Sequence, residues 1–218
     1  MNEKVKNRLM LVEYNIKLME DYLKHFKEYL DNLQSKSRSE YLQQQNLHDD
    51  LGNLSLQLQF MGIFNKNNIF FPQLHYSSFL VTCYSLIESE LNEFCLIAEE
   101  ELKLRKKVSS LDGSGILRSQ KYFEKIVKIN INKTKWDELH NLRRLRNKIV
   151  HLGPDFDKKL LEYDEKELKK YIEKHNLIKE IKYKTLIIDY SFCIYLLDFL
   201  SKFFFEIAND TSGIIQRA

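Results

Sequence analysis

Between Val5 and Leu33 an apolar residue returns at every third or fourth position without a break: Val5, Leu9, Val12, Ile16, Met19, Leu23, Phe26, Leu30, Leu33. Steps that alternate four and three put all of them on one stripe of a helix. A strand, whose side chains alternate with a period of two, cannot gather them on one face. A seam of about four heptads demands that the helix be covered along its length by another helix. The rest of the chain is under the same restriction. Two prolines and six glycines in 218 residues leave few places to break a helix, and 44% hydrophobic residues suffice for a sizeable core. The patterning predicts an all-α fold.

Taken in order, the first seam ends at the polar run 35–40, where Ser37 and Glu40 have the spacing of a capping box. A second seam follows in Leu47, Leu51, Leu54, Leu58 and Met61. Two seamed helices with a short turn predict a coiled-coil-like N-terminal helical hairpin over residues 1–64. The Asn-rich stretch 62–72 marks a loop and a boundary, and residues 72–210 form the main domain, with 211–218 a tail. Its first long helix runs from 73 to 106, with Leu80, Tyr84, Ile87, Leu91, Phe94 and Ala98 as core face and the cations of 103–107 at its C-terminal end. Ser114 caps a short helix carrying Ile116, Leu117, Phe123, Ile126 and Val127. Asp164, with Glu167, starts a helix that Asn176 ends. The β-branched runs 178–182 and 185–188 around Tyr183-Lys184 predict a small β-hairpin insertion. Asp189 caps a last helix over 190–208, and 209–218 frays.

The helix that ends at Gly153-Pro154 carries the informative polar residues. It begins near Thr134 as N-cap, and Trp136, Leu139, Leu142, Leu145, Ile149 and Leu152 make its buried face. At about 100° per residue Arg146 falls inside that face, between Leu139 and Leu142. A guanidinium cannot deprotonate to escape burial, so it requires a partner there or a second subunit. His140, Arg144, Asn147 and His151 form a strip on another side, and Arg146 lies roughly 140° from His151.

Arg146-Asn147-Lys148-Ile149-Val150-His151 resembles the signature of the HEPN superfamily, an Arg, a polar residue, three more and a His. Residues 77–100, with Tyr84-Ser85-Leu86-Ile87-Glu88, resemble that family's first long helix, and 115–127 followed by 136–142 its middle. The family comprises small α-helical domains, many of them metal-independent endoribonucleases of toxin–antitoxin and antiphage systems. The resemblance implies a HEPN-like helical bundle that cleaves single-stranded RNA, the ribose 2′-OH attacking the adjacent phosphate to leave a 2′,3′-cyclic end. His151 then acts as general base or acid and Arg146 neutralises the phosphorane oxygens. Asn147 orients His151, and Glu88 is a candidate partner for Arg146 or for the polar strip. Arg143, Arg144, Lys148 and His140 are candidate RNA contacts. It also implies a homodimer through the signature helix, and an antitoxin or defence-system partner protein. The other reading is a catalytically silent HEPN-like module that binds RNA or protein. Some toxins of the superfamily carry an adenylylated tyrosine two residues after the His; here that position is Gly153.

The charge distribution suits an anionic ligand such as RNA, or else a solvated basic face. From 103 to 151 there are fourteen Lys or Arg against four Asp or Glu, so with a net charge of +3 the remainder of the chain is negative. Cys83, Cys95 and Cys193 sit at apolar positions without metal spacing and read as buried thiols of a reducing, cytoplasmic compartment. The scattered histidines imply no metal, and no glycine-rich phosphate loop or Gly-x-Ser-x-Gly elbow occurs, so no cofactor is expected. The opening residues are polar, and the most apolar stretch, 192–205, carries Asp198 and Lys202, which predicts a core helix rather than a membrane span.

Overall fold

The computed structural model describes residues 1–47, 54–152, 166–179 and 185–218. The first helix, α1 (Glu3–Leu47), is unbroken. Its seam is buried as the spacing predicts: Val5, Leu9, Val12, Ile16, Leu23 and Leu30 are at most 8% exposed, with Met19 and Phe26 packed beside them. The turn expected at 35–40 does not form, and Ser37 is buried within the helix rather than capping a new one. Its neighbours bond back into the helix, Ser35 Oγ to the Asp31 carbonyl at 2.7 Å and Ser39 Oγ to the Lys36 carbonyl at 2.8 Å. Hydroxyls satisfied in this way compete less with the helical backbone.

The chain then returns as α2 (Leu54–Asn65), which passes through one π turn, Lys66–Phe70, into α3 (Phe71–Glu101). The stretch 62–72, expected as a loop, is therefore helical, and Pro72 sits in the first turn of α3, where a missing N–H is tolerated. α2 packs back against α1, and residues 48–53, which join the two helices, lie outside the described residues. Of the second seam, Leu58 and Met61 are 60% and 51% exposed in the single chain. The side chains of Leu47, Leu51 and Leu54 lie outside what is described. The expected core face of α3 is at most 2% exposed at every position. α3 stops at Glu101, short of the cations, because Lys103 turns left-handed (φ 49°). The Leu104 and Lys103 N–H groups then close on the Glu99 and Glu100 carbonyls at 3.0 and 3.1 Å, a Schellman end.

α4 (Gly115–Tyr122) continues through a π turn, Phe123–Val127, and α5 (Lys133–Leu152) follows. Next comes α6 (Lys166–Lys174), which ends as predicted on left-handed Asn176 (φ 51°). The expected capping groups of Asp164 and Glu167 lie outside the described side chains. β1 (Ile178–Lys179) pairs antiparallel with β2 (Thr185–Leu186), Ile178 opposite Leu186. This is the antiparallel pairing expected of the two runs, and residues 180–184 between the strands lie outside the described residues. Asp189 caps α7 (Tyr190–Ile215), its carboxylate accepting the Phe192 N–H at 3.0 Å. The tail expected to fray beyond Ala208 is helical as far as Ile215, and Thr211 and Ser212 are buried.

Apart from that two-residue pairing the described chain is all-α. α3 and α7 lie side by side, with Phe94 stacked on Phe204 at 6.0 Å. α1 runs antiparallel to α3, with Asn2 on Glu101, Arg8 on the buried Glu90 at 2.5 Å, and Phe26 stacked on His75 at 3.3 Å. The start of α1 also meets the end of α7, where the Asn2 N–H donates to Ser212 Oγ at 2.7 Å. α5 packs against the opposite flank, Trp136 edge-on to Phe203 at 5.6 Å. One core cluster runs from Val5 to Ala208, so the Val5–Leu30 part of α1 shares the core of the later helices. Residues 192–205 lie in α7 with Leu196, Leu200, Phe203 and Phe204 at most 1% exposed, a core helix as expected. Among the described residues no helix is long and apolar enough to cross a membrane. The three cysteines are free and buried.

Candidate functional site

α5 positions most of the candidate residues. Its N-cap is Asn132 rather than Thr134: the Asn132 carboxamide oxygen accepts both the Thr134 N–H and its hydroxyl at 2.9 Å. Trp136, Leu139, Leu142, Leu145 and Ile149 are at most 8% exposed, which fixes the helix rotation. Arg146 is thereby turned toward α3, and its guanidinium carbon lies 5.3 Å from the centre of the Tyr84 ring. Such a stack, worth roughly 0.5–2 kcal/mol, supplies the partner that its azimuth demanded. Arg146 Nη1 also donates to Asn147 Oδ1 at 3.0 Å, and Arg146 Nε is buried without a hydrogen-bond partner among the described residues. Asn147 is thus engaged with Arg146 and not with His151.

Glu88 reaches the site indirectly. The Tyr84 hydroxyl donates to Glu88 Oε1 at 3.1 Å, so Arg146, Tyr84 and Glu88 form a chain from α5 to α3. Burial, then the Glu88 charge, pushes the Tyr84 phenol up despite Arg143 and Arg146 nearby, so it stays a neutral donor. Gly115, which opens α4 at φ +52°, lies against the same carboxylate, and a Cβ there would run into it. The glycine serves both the left-handed backbone and the close approach.

The remaining candidates follow the rest of α5. His151 is exposed in the last turn. Arg143, Arg144 and Lys148 are half-buried, and Arg144 Nη1 donates to Asn141 Oδ1 at 3.0 Å. His140 faces α4, its Nε2 2.8 Å from Gln120 Oε1. Burial, with Arg143 and Arg144 beside it, lowers the His140 imidazole, so it is neutral at pH 7 and offers a phosphate no full charge. The fold brings Arg146, Asn147, Tyr84 and Glu88 together. Within one chain it leaves His151 on a different side of the helix, as its azimuth requires.

A second polar cluster carries Glu138, which sequence reasoning missed. Glu138 is 8% exposed, and its carboxylate accepts the Tyr171 and Tyr195 hydroxyls at 2.7 and 2.9 Å. Lys174 Nζ stands 3.4 Å away and His175 Nε2 3.6 Å, the imidazole packed among Tyr171, Phe192 and Tyr195. Burial alone would raise this carboxyl, but His175, the two hydroxyls and the Lys174 charge outweigh it and hold it at about 2. The cluster ties α5 to α6 and α7 and so fixes the helix that presents Arg146 and His151. The signal was available: at about 100° per residue Glu138 falls between Leu145 and Ile149, inside the apolar sector.

Compared with protein-family models, curated proteins and solved structures, the chain matches none, so the likeness to the HEPN superfamily rests on its own residues.

Proposed function

We propose that this chain is a metal-independent endoribonuclease of HEPN type, acting on single-stranded RNA as a toxin or antiphage effector. The observation that carries the reading is the end of α5. An exposed His151 follows half-buried Arg143, Arg144 and Lys148 on one helix, and Arg146 is held in place from behind by Tyr84. An exposed imidazole is available to take the 2′-OH proton or to protonate the leaving oxygen. A guanidinium fixed by a ring and an amide retains donors for phosphate oxygens and loses little freedom on binding. Because His151 and Arg146 diverge on one helix, two copies of α5 meeting across a twofold axis would complete each site, giving a homodimer. Restraint by an antitoxin or defence-system partner is part of the same proposal.

A second reading is a silent RNA- or protein-binding module of the same type. The Arg146–Tyr84 stack and the turn of Asn147 toward Arg146 favour it, since both residues then have structural work. Product analysis separates the two. Labelled single-stranded RNA incubated with the chain in EDTA should give fragments with 2′,3′-cyclic phosphate ends. Cleavage that appears only on adding a divalent cation contradicts the mechanism, and salt-sensitive binding without any cleavage selects the silent module.

A further inference from the structure

Opposite its charged side, α1 carries a second stripe at heptad spacing: Leu11, Asn15, Leu18, Tyr22, His25 and Tyr29. It lies roughly 115° round the helix from the buried seam. Its four apolar members are 45–58% exposed. The stripe borders a groove of about 240 Å³ between α1 and α3, walled by Leu18, Tyr22, His75 and Thr82 among others. The α3 wall is low and already satisfied, since Ser78 Oγ and Thr82 Oγ1 bond to the Leu74 and Ser78 carbonyls at 2.8 and 3.0 Å. A half-exposed tyrosine or leucine leaves about 100 Å² uncovered. With Tyr14 and Leu74, which are 60% and 52% exposed, the patch comes to roughly 600 Å². That is the top of the range for a monomer and close to the ~800 Å² per partner of an ordinary interface.

We propose that this stripe pairs with the same stripe of a second copy, antiparallel, about a twofold axis level with Glu20. The order of residues selects that occupant. In antiparallel contact about that level Leu11 meets Tyr29, Leu18 meets Tyr22, and Asn15 meets His25, so apolar faces apolar and the two polar positions face each other. The His25 Nδ1–H donates to the Asp21 carbonyl at 2.7 Å, which leaves Nε2 to pair with the Asn15 carboxamide, a group that can both donate and accept. Sliding one heptad either way sets Asn15 against Leu18 or His25 against Tyr22 and shortens the overlap, so the polar pair fixes the register. On the charged flank Lys17 already pairs with Asp21 at 3.4 Å and Lys24 with Glu20 at 2.7 Å, so these side chains are neutralised within their own helix when the stripes meet. This contact is separate from any pairing along α5. If both form, the chain is a tetramer.

Sedimentation of the full chain at tens of micromolar tests the proposal, with the double variant Leu18→Lys/Tyr22→Lys beside it. Both positions are exposed, so the fold should persist, and the double variant should have half the mass of wild type. Disulfide trapping reads the register. Chains carrying Leu18→Cys and chains carrying Tyr22→Cys should cross-link when mixed and oxidised, and neither should cross-link alone; the native thiols are buried and do not compete. A monomeric wild type, a mass indifferent to the lysines, or a Leu18→Cys chain that cross-links to itself would each overturn the proposal.

Discussion

Replacing Glu138 is the most quantitative test of how α5 is held. The distance between an ordinary carboxyl value of 4.5 and about 2 in the fold corresponds to roughly 3 kcal/mol at neutral pH. Hydrogen bonds give a similar figure. Two tyrosine hydroxyls donate to a charged acceptor, each worth about 1.5–3 kcal/mol, against the cost of keeping a carboxylate buried. Lys174 adds little, because its side chain is 62% exposed. Glu138→Ala should therefore lose about 3 kcal/mol in urea unfolding at pH 7. Glu138→Gln, which keeps one acceptor oxygen, should lose about half of that. The folded carboxyl lies below its unfolded value, so its contribution is complete above about pH 4.5 and is lost as pH falls toward about 2. The gap between wild type and Glu138→Gln should close over that window. A loss under about 1 kcal/mol for Glu138→Ala, or a gap that does not change with pH, would refute the reasoning.

Two further outcomes follow from the same geometry. Gly115→Ala places a Cβ at φ +52° and against Glu88, so it should cost about 1–2 kcal/mol in thermal melts and displace Glu88 from Tyr84. Burial holds the His75 imidazole at about 4; its stabilising share is present above its unfolded value of 6.5 and is lost as pH falls toward 4, so His75→Phe should flatten stability across that range in urea titrations.

Helical class, the α1 seam and the faces of α3 and α5 were legible because each rests on a repeated 3.6-residue period that one residue cannot disturb. Helix ends were less legible. Ser37 looks like a cap but bonds and packs inside α1, and 62–72 looks like a loop although a π turn carries the helix through it. Lys103 takes a left-handed conformation that glycine usually marks, so α3 stops early without a sequence signal. At the site, azimuth correctly demanded a partner for Arg146. That partner is a tyrosine ring, which charge pairing alone does not suggest; Glu88 stands one hydrogen bond further on. The same azimuth argument identifies Glu138, but its partners Tyr171 and Tyr195 are distant in sequence and only the fold joins them.

The proposed chemistry meets its most direct test in His151→Ala. His151 is exposed and holds no structural contact among the described residues, so the variant should melt with the wild type. Cleavage of labelled single-stranded RNA in EDTA should fall by about 10²-fold or more, the usual share of a general acid or base. Unchanged cleavage by a folded His151→Ala chain would contradict the account.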